Sequence, residues 1–98
     1  MPMGAATTDE HRASLEIRNR LGLHARAAAL LVQTASRFNA EVTVAKDGQV
    51  VNGRSIMGVM MLAAEQGSRI DVAASGPDAA EALAAIRTLV DARFNEPD

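Results

Sequence analysis

Within Gly22-Leu23-His24-Ala25-Arg26 an imidazole and a guanidinium stand two residues apart, immediately before an amphipathic run. Ala28, Leu31, Val32, Ala35 and Phe38 recur there at helical spacings, which predicts a helix over 27–38 with His24 at or next to its first position. Backbone N–H groups without intrahelical partners collect at a helix start, and together with the positive end of the helix dipole they favour an anion. Arg26 adds a planar fork of donors matched to phosphate oxygens, and Gly22 allows a tight turn into the site. A solvated imidazole is largely unprotonated at neutral pH and can act as a nucleophile, so His24 is a candidate acceptor of a phosphoryl group. Phosphate on an imidazole nitrogen is readily passed on, which suits a carrier. Taken alone, the same H-x-R pattern also describes a loop histidine that caps a helix beside a solvated arginine.

A second segment supplies context. In Val51-Asn52-Gly53-Arg54-Ser55-Ile56-Met57-Gly58-Val59-Met60-Met61-Leu62, Ser55 stands where a helix N-cap would. Ile56, Met57, Met60 and Met61 follow at helical spacings, and so small a domain cannot bury them all. Some should face a partner, and methionine suits such a surface because its flexible, polarizable side chain repacks against several proteins. Periodicity alone is equally compatible with methionine as core filler.

Together the two segments resemble the HPr family, the histidine phosphocarrier proteins of the bacterial phosphoenolpyruvate-dependent phosphotransferase system. The likeness runs from about Ala13 to Phe94, with G-L-H-A-R opening one helix and N-x-[RK]-S-I-M-G-V-M opening the next. The resemblance implies that His24 carries the phosphoryl group on Nδ1, that Arg26 steadies it, and that Ser55 is a regulatory serine. It implies enzyme I as donor, a IIA-type acceptor, and an HPr kinase/phosphorylase where one exists. Docking is expected around Ala25, Ala29, Ile56, Met57 and Met60. Ala27 departs from the family, which usually has proline there; proline near a helix start fixes φ and removes no needed hydrogen bond, so alanine should loosen the site slightly. The last segment, G-P-D-A-A-E-A-L-A-A-I-R-T-L-V, resembles the nitrogen-related branch, whereas R-S-I-M-G-V-M resembles carriers regulated on serine.

Composition narrows the alternatives. A chain of 98 residues is one domain with one modest core, which 48% apolar residues permit although only 2% are aromatic. Absence of cysteine excludes a disulfide framework or a thiolate metal site and fits a reducing cytoplasm. His11 and His24 are too few for a metal site without clustered carboxylates, and no cofactor is expected. A net charge of −2 with few aromatic stacking platforms argues against nucleic acid. The start of the chain lacks a basic stretch followed by an apolar h-region, and no apolar run approaches the roughly 18 to 20 residues that a spanning helix needs, so no membrane role is expected.

Along the chain, 1–12 reads as a polar, disordered tail in which His11 carries little functional weight, and 13–98 as the domain. Leu15 and Ile17 alternate with Glu16 and Arg18 as a half-buried strand; Val42 and Val44 form a second, and Asp47-Gly48 turns into a short third. The second helix should run from Ser55 to about Gln66-Gly67, followed by a strand over Arg69–Ala73. A last helix follows Ser75-Gly76-Pro77-Asp78, with Ser75, Gly76 or Asp78 as cap and a core face of Ala82, Leu83, Ile86, Leu89, Val90 and Phe94. Asn95-Glu96-Pro97-Asp98 simply ends the chain. The order βαββαβα is that of an α+β domain with helices on one face of a single sheet. The resemblance supplies the rest: an open-faced sandwich with a four-stranded antiparallel sheet ordered 1-4-2-3.

Three functions are consistent with a domain of this kind. A monomeric phosphocarrier, rather than a turnover enzyme, accounts for both motifs. A regulatory binding module acting mainly through Ser55 would leave His24 and Arg26 unexplained. An acylphosphatase-like hydrolase would need a G-x-V-Q-G-V-x-F-R-like phosphate loop, which is absent.

Overall fold

In extended chain, residues two apart share a face, and the alternating apolar residues of this protein use that face to build its core. The computed structural model describes residues 10–97. It contains four strands, β1 (Glu10–Glu16), β2 (Glu41–Lys46), β3 (Gln49–Asn52) and β4 (Arg69–Ser75), in one antiparallel sheet ordered β1-β4-β2-β3. Leu15, Val42, Val44, Ile70, Val72 and Ala74 are buried, while the intervening Ser14, Thr43 and Asp71 are exposed. Only one face of the sheet therefore needs cover. Helices α1 (Ala25–Ser36), α2 (Ile56–Met61) and α3 (Ala79–Asp91) supply it, α3 lying on β1 and β4 and against α1, which also meets α2. Ala27, Ala28, Leu31 and Ala35 of α1 and Ala79, Ala82, Ile86 and Val90 of α3 are fully buried, so each buried helix face combines alanines with larger aliphatic side chains.

Three expectations need correction. The first strand begins at Glu10 rather than after the supposed tail, because Glu10, His11 and Arg12 pair with Ser75, Ala74 and Ala73 of β4. An edge strand is held by its backbone ladder and tolerates polar side chains, so composition alone understated it. The remaining tail residues, 1–9, lie outside the described residues. Helix α2 ends at Met61, five residues before Gln66, since Ala63 adopts a left-handed φ of 51°. The residues beyond it are claimed by other backbone: Leu23 N donates to Ala64 O (2.9 Å), Gly67 N to Ile17 O (2.7 Å) and Ile17 N to Ser68 O (2.8 Å).

Third, α3 stops at Asp91, and Phe94 is not part of its core face. Arg93, Phe94 and Asn95 have φ of 57°, 53° and 59°, a left-handed turn made without glycine. Such a conformation costs roughly 1–2 kcal/mol per residue. Full burial of the Phe94 ring, contributing about 2–3 kcal/mol, offsets part of that cost, and Arg26 Nη1 donates to the Phe94 carbonyl at 3.0 Å. At its other end α3 is capped by Asp78, whose carboxylate accepts from Asn39 N (2.7 Å) and so fastens the helix start to the loop before β2.

Candidate phosphoacceptor site

Gly22 turns the chain into α1. Its φ is +68°, and a Cβ there would collide with the Ala64 carbonyl. Gly22→Ala is expected to cost about 2–3 kcal/mol of stability through both effects, read from the urea unfolding midpoint. A loss below about 0.5 kcal/mol would show that the turn relaxes freely.

His24 is the N-cap of α1, extended at φ −73° and ψ 179°, and its carbonyl accepts from Ala28 N at 2.8 Å. Its side chain does not cap the helix, and no acidic residue stands in the first turn. The donors of that turn are thus left for an external anion, the condition the sequence anticipated. Ala27, where proline was expected, is the third helical residue and fully buried; its N–H lies in the turn that forms no intrahelical bond.

The imidazole is 28% exposed, and Nε2 is hydrogen-bonded to Glu96 Oε2. The same oxygen accepts from Asn19 Nδ2 (3.1 Å) and lies 3.8 Å from Arg26 Nη1. Asn19 is buried, and its Nδ2 also donates to Gly22 O at 2.7 Å, so one amide ties the turn to Glu96. Both acceptors require the nitrogen on that side of the amide, which fixes its orientation. Burial to 10% side-chain exposure pushes the Glu96 carboxyl up, but hydrogen bonds from His24 and Asn19 and the charges of His24 and Arg26 outweigh it, leaving it below the usual carboxylate range. Because the folded value is depressed, this contribution to stability is complete above the ordinary carboxylate range and disappears as pH falls through the lowered value.

Arg20, Leu21, His24, Arg26, Glu96 and Pro97 line an open cavity of about 420 Å³. His24 and Arg26 thus meet, as their spacing suggested, and Arg26 keeps donors beyond the one given to Phe94. Glu96 and Asn19 were missed. In sequence Glu96 stands among the last residues with no signal of its own, and the left-handed turn at 93–95 brings it back over α1.

Ser55 sits apart on α2 as its N-cap, with Oγ accepting from Gly58 N at 3.0 Å. Arg54 Nη2 holds the start of this segment to the loop between α1 and β2 by donating to the carbonyls of Phe38 (2.9 Å) and Ala40 (2.8 Å). The apolar residues beyond Ser55 are exposed: Ile56, Met60, Met57 (71%) and Met61 (66%). Ala25 is exposed and Ala29 half-buried. Leu21, 66% exposed, adds an apolar side chain to the cavity lining.

The PTS-HPr family model, described as the PTS HPr component phosphorylation site, matches residues 11–92. Phosphocarrier protein HPr of Neisseria meningitidis serogroup A is 52% identical over 83 residues, which cover 85% of this chain and 93% of the relative. The Xylella fastidiosa Temecula1 protein of the same description is 51% identical over 84% of this chain and 92% of its own length. A crystal structure of HPr-C-His from Thermoanaerobacter tengcongensis matches with a TM-score of 0.86 at 44% identity, covering 90% of this chain and 99% of that one. Another structure from that organism, at 48% identity and a TM-score of 0.72, covering 84% of this chain and 94% of its own, is of an HPr dimer. Sequence, fold and two motifs in register agree: the chain belongs to the HPr family of phosphocarrier proteins of the phosphotransferase system.

Proposed function

We propose that His24 accepts a phosphoryl group from the phosphohistidine of enzyme I and passes it to a IIA-type acceptor. The observation that carries this reading is the opening of His24 and Arg26 onto one cavity at an uncapped helix start. The Nδ1 lone pair attacks phosphorus as the donor's P–N bond breaks, and that bond's electron pair returns to the donor ring. Arg26 and the first-turn N–H groups face the oxygens, whose charge they stabilise. So small and open a site supplies one side of the clamp; the partners supply the other, and the chain acts as a stoichiometric carrier rather than a turnover enzyme. It works as a monomer in the cytoplasm in this reading. Incubation with enzyme I and labelled phosphoenolpyruvate should give one equivalent of acid-labile phosphate per chain, and a protein that remains unlabelled is not such a carrier.

Ser55 regulates docking. Its phosphorylation by an HPr kinase/phosphorylase would add about −1.5 to −2 charges at a helix start, where an anion is tolerated. The Ile56, Met57 and Met60 surface beside it, together with Ala25 and Ala29, is the face presented to enzyme I. Burying the new charge there is costly. Ser55→Asp should weaken enzyme I binding about tenfold with the melting temperature nearly unchanged, although one carboxylate only partly imitates phosphate. Equal affinities for wild type, Ser55→Asp and phosphorylated protein would leave Ser55 a plain helix cap.

A further inference from the structure

His24 makes one side-chain hydrogen bond among the described residues, and it is on the nitrogen that the carrier reading does not use. Glu96 is ionised at neutral pH, for its carboxyl lies below the ordinary range. An ionised carboxylate has no proton to give, so Nε2 must be the donor. In the neutral ring the only remaining lone pair is then on Nδ1. Asn19 donates to the same carboxylate oxygen, through a buried amide whose second hydrogen bond reaches the Gly22 turn. The group that selects the nitrogen is therefore anchored to the turn that positions His24.

We propose that Glu96 is a positioning residue for phosphoryl transfer, holding the proton on Nε2 of His24 so that Nδ1 is the nucleophile on receipt and a neutral imidazole is the leaving group on delivery. On receipt, Nδ1 forms a bond to phosphorus, and the ring, still carrying its Nε2 proton, becomes cationic against the Glu96 carboxylate. On delivery the N–P bond breaks, its electron pair returns to Nδ1, and the Nε2 proton stays where it was. No proton is exchanged in either direction. Were the Nε2 proton lost from the phosphorylated ring, the departing group would be an imidazolate, a far poorer leaving group. This inference rests on His24 being the acceptor.

Nitrogen–proton NMR of the imidazole in the full chain tests it, with Glu96→Ala and Glu96→Gln alongside wild type. Wild type should show a single tautomer with a downfield Nε2 proton protected from water, and phosphorus coupled to Nδ1 after labelling. Glu96→Ala should lose the proton signal to exchange and slow phosphate uptake from enzyme I about tenfold, the effect of losing one charge-assisted hydrogen bond. Glu96→Gln keeps an acceptor oxygen in place, so it should retain the tautomer and recover part of the rate. A Glu96→Ala protein with an unaltered Nε2 signal and wild-type rate overturns the inference, as does phosphate on Nε2, and both leave His24 as acceptor. A protein with the Nε2 signature but no phosphate on His24 instead overturns the carrier reading itself.

Discussion

His24→Ala protein is expected to take up no acid-labile phosphate from enzyme I, while His11→Ala protein should be labelled as fully as wild type. The effect is complete because the chain has two histidines, and His11 lies in β1 away from the α1 start. The fold should survive the change. His24 caps α1 through its backbone, its side chain makes no capping bond, and Glu96 retains Asn19 and Arg26 as partners when the imidazole is gone. Matched circular dichroism and melting curves would establish that the loss is chemical. Acid-labile phosphate persisting in His24→Ala would move the acceptor elsewhere and remove the assignment.

Phe94→Ala should have the largest effect on stability, about 3–5 kcal/mol by urea denaturation. Phe94 heads the fully buried side chains by volume, in a core otherwise made of Leu, Ile, Val and Ala, so few neighbours are long enough to fill the space it leaves. A domain of this size has roughly 5–15 kcal/mol in total. The ring also offsets part of the cost of a left-handed backbone that would otherwise straighten, and with it goes the carbonyl that holds Arg26. Phosphate uptake should therefore fall in the variant even at temperatures where it remains folded. A loss near 1 kcal/mol would mean that residues 93–97 can peel away without disturbing the core.

His24, Arg26 and Ser55 were legible in the sequence because helix starts are local: a cap, a turn glycine and the first helical donors lie within five residues of one another. The strands were legible from alternation, whereas their order in the sheet came from family resemblance, since no local signal ranks β4 between β1 and β2. Asn19 and Glu96 were not legible. Rules for left-handed backbone look to glycine or asparagine, and here it begins two residues before Asn95, at Arg93 and Phe94. Phe94 also follows Val90 by four residues, so its spacing imitates a helix that has already ended. Ala63 hid the end of α2 in the same way, because tertiary backbone bonds rather than a breaker residue stop it.

His24 and Glu96 are 72 residues apart in the chain. Synthesis runs from the N-terminus, so a ribosome exposes His24 and Arg26 long before the carboxylate that meets them exists. Helix α1 can form on local contacts, but closing a loop of that length waits for the sheet and α3 to assemble. The complete site is consequently among the last features to form, and a protease that trims a few residues beyond α3 would return the histidine to the state it had in the nascent chain.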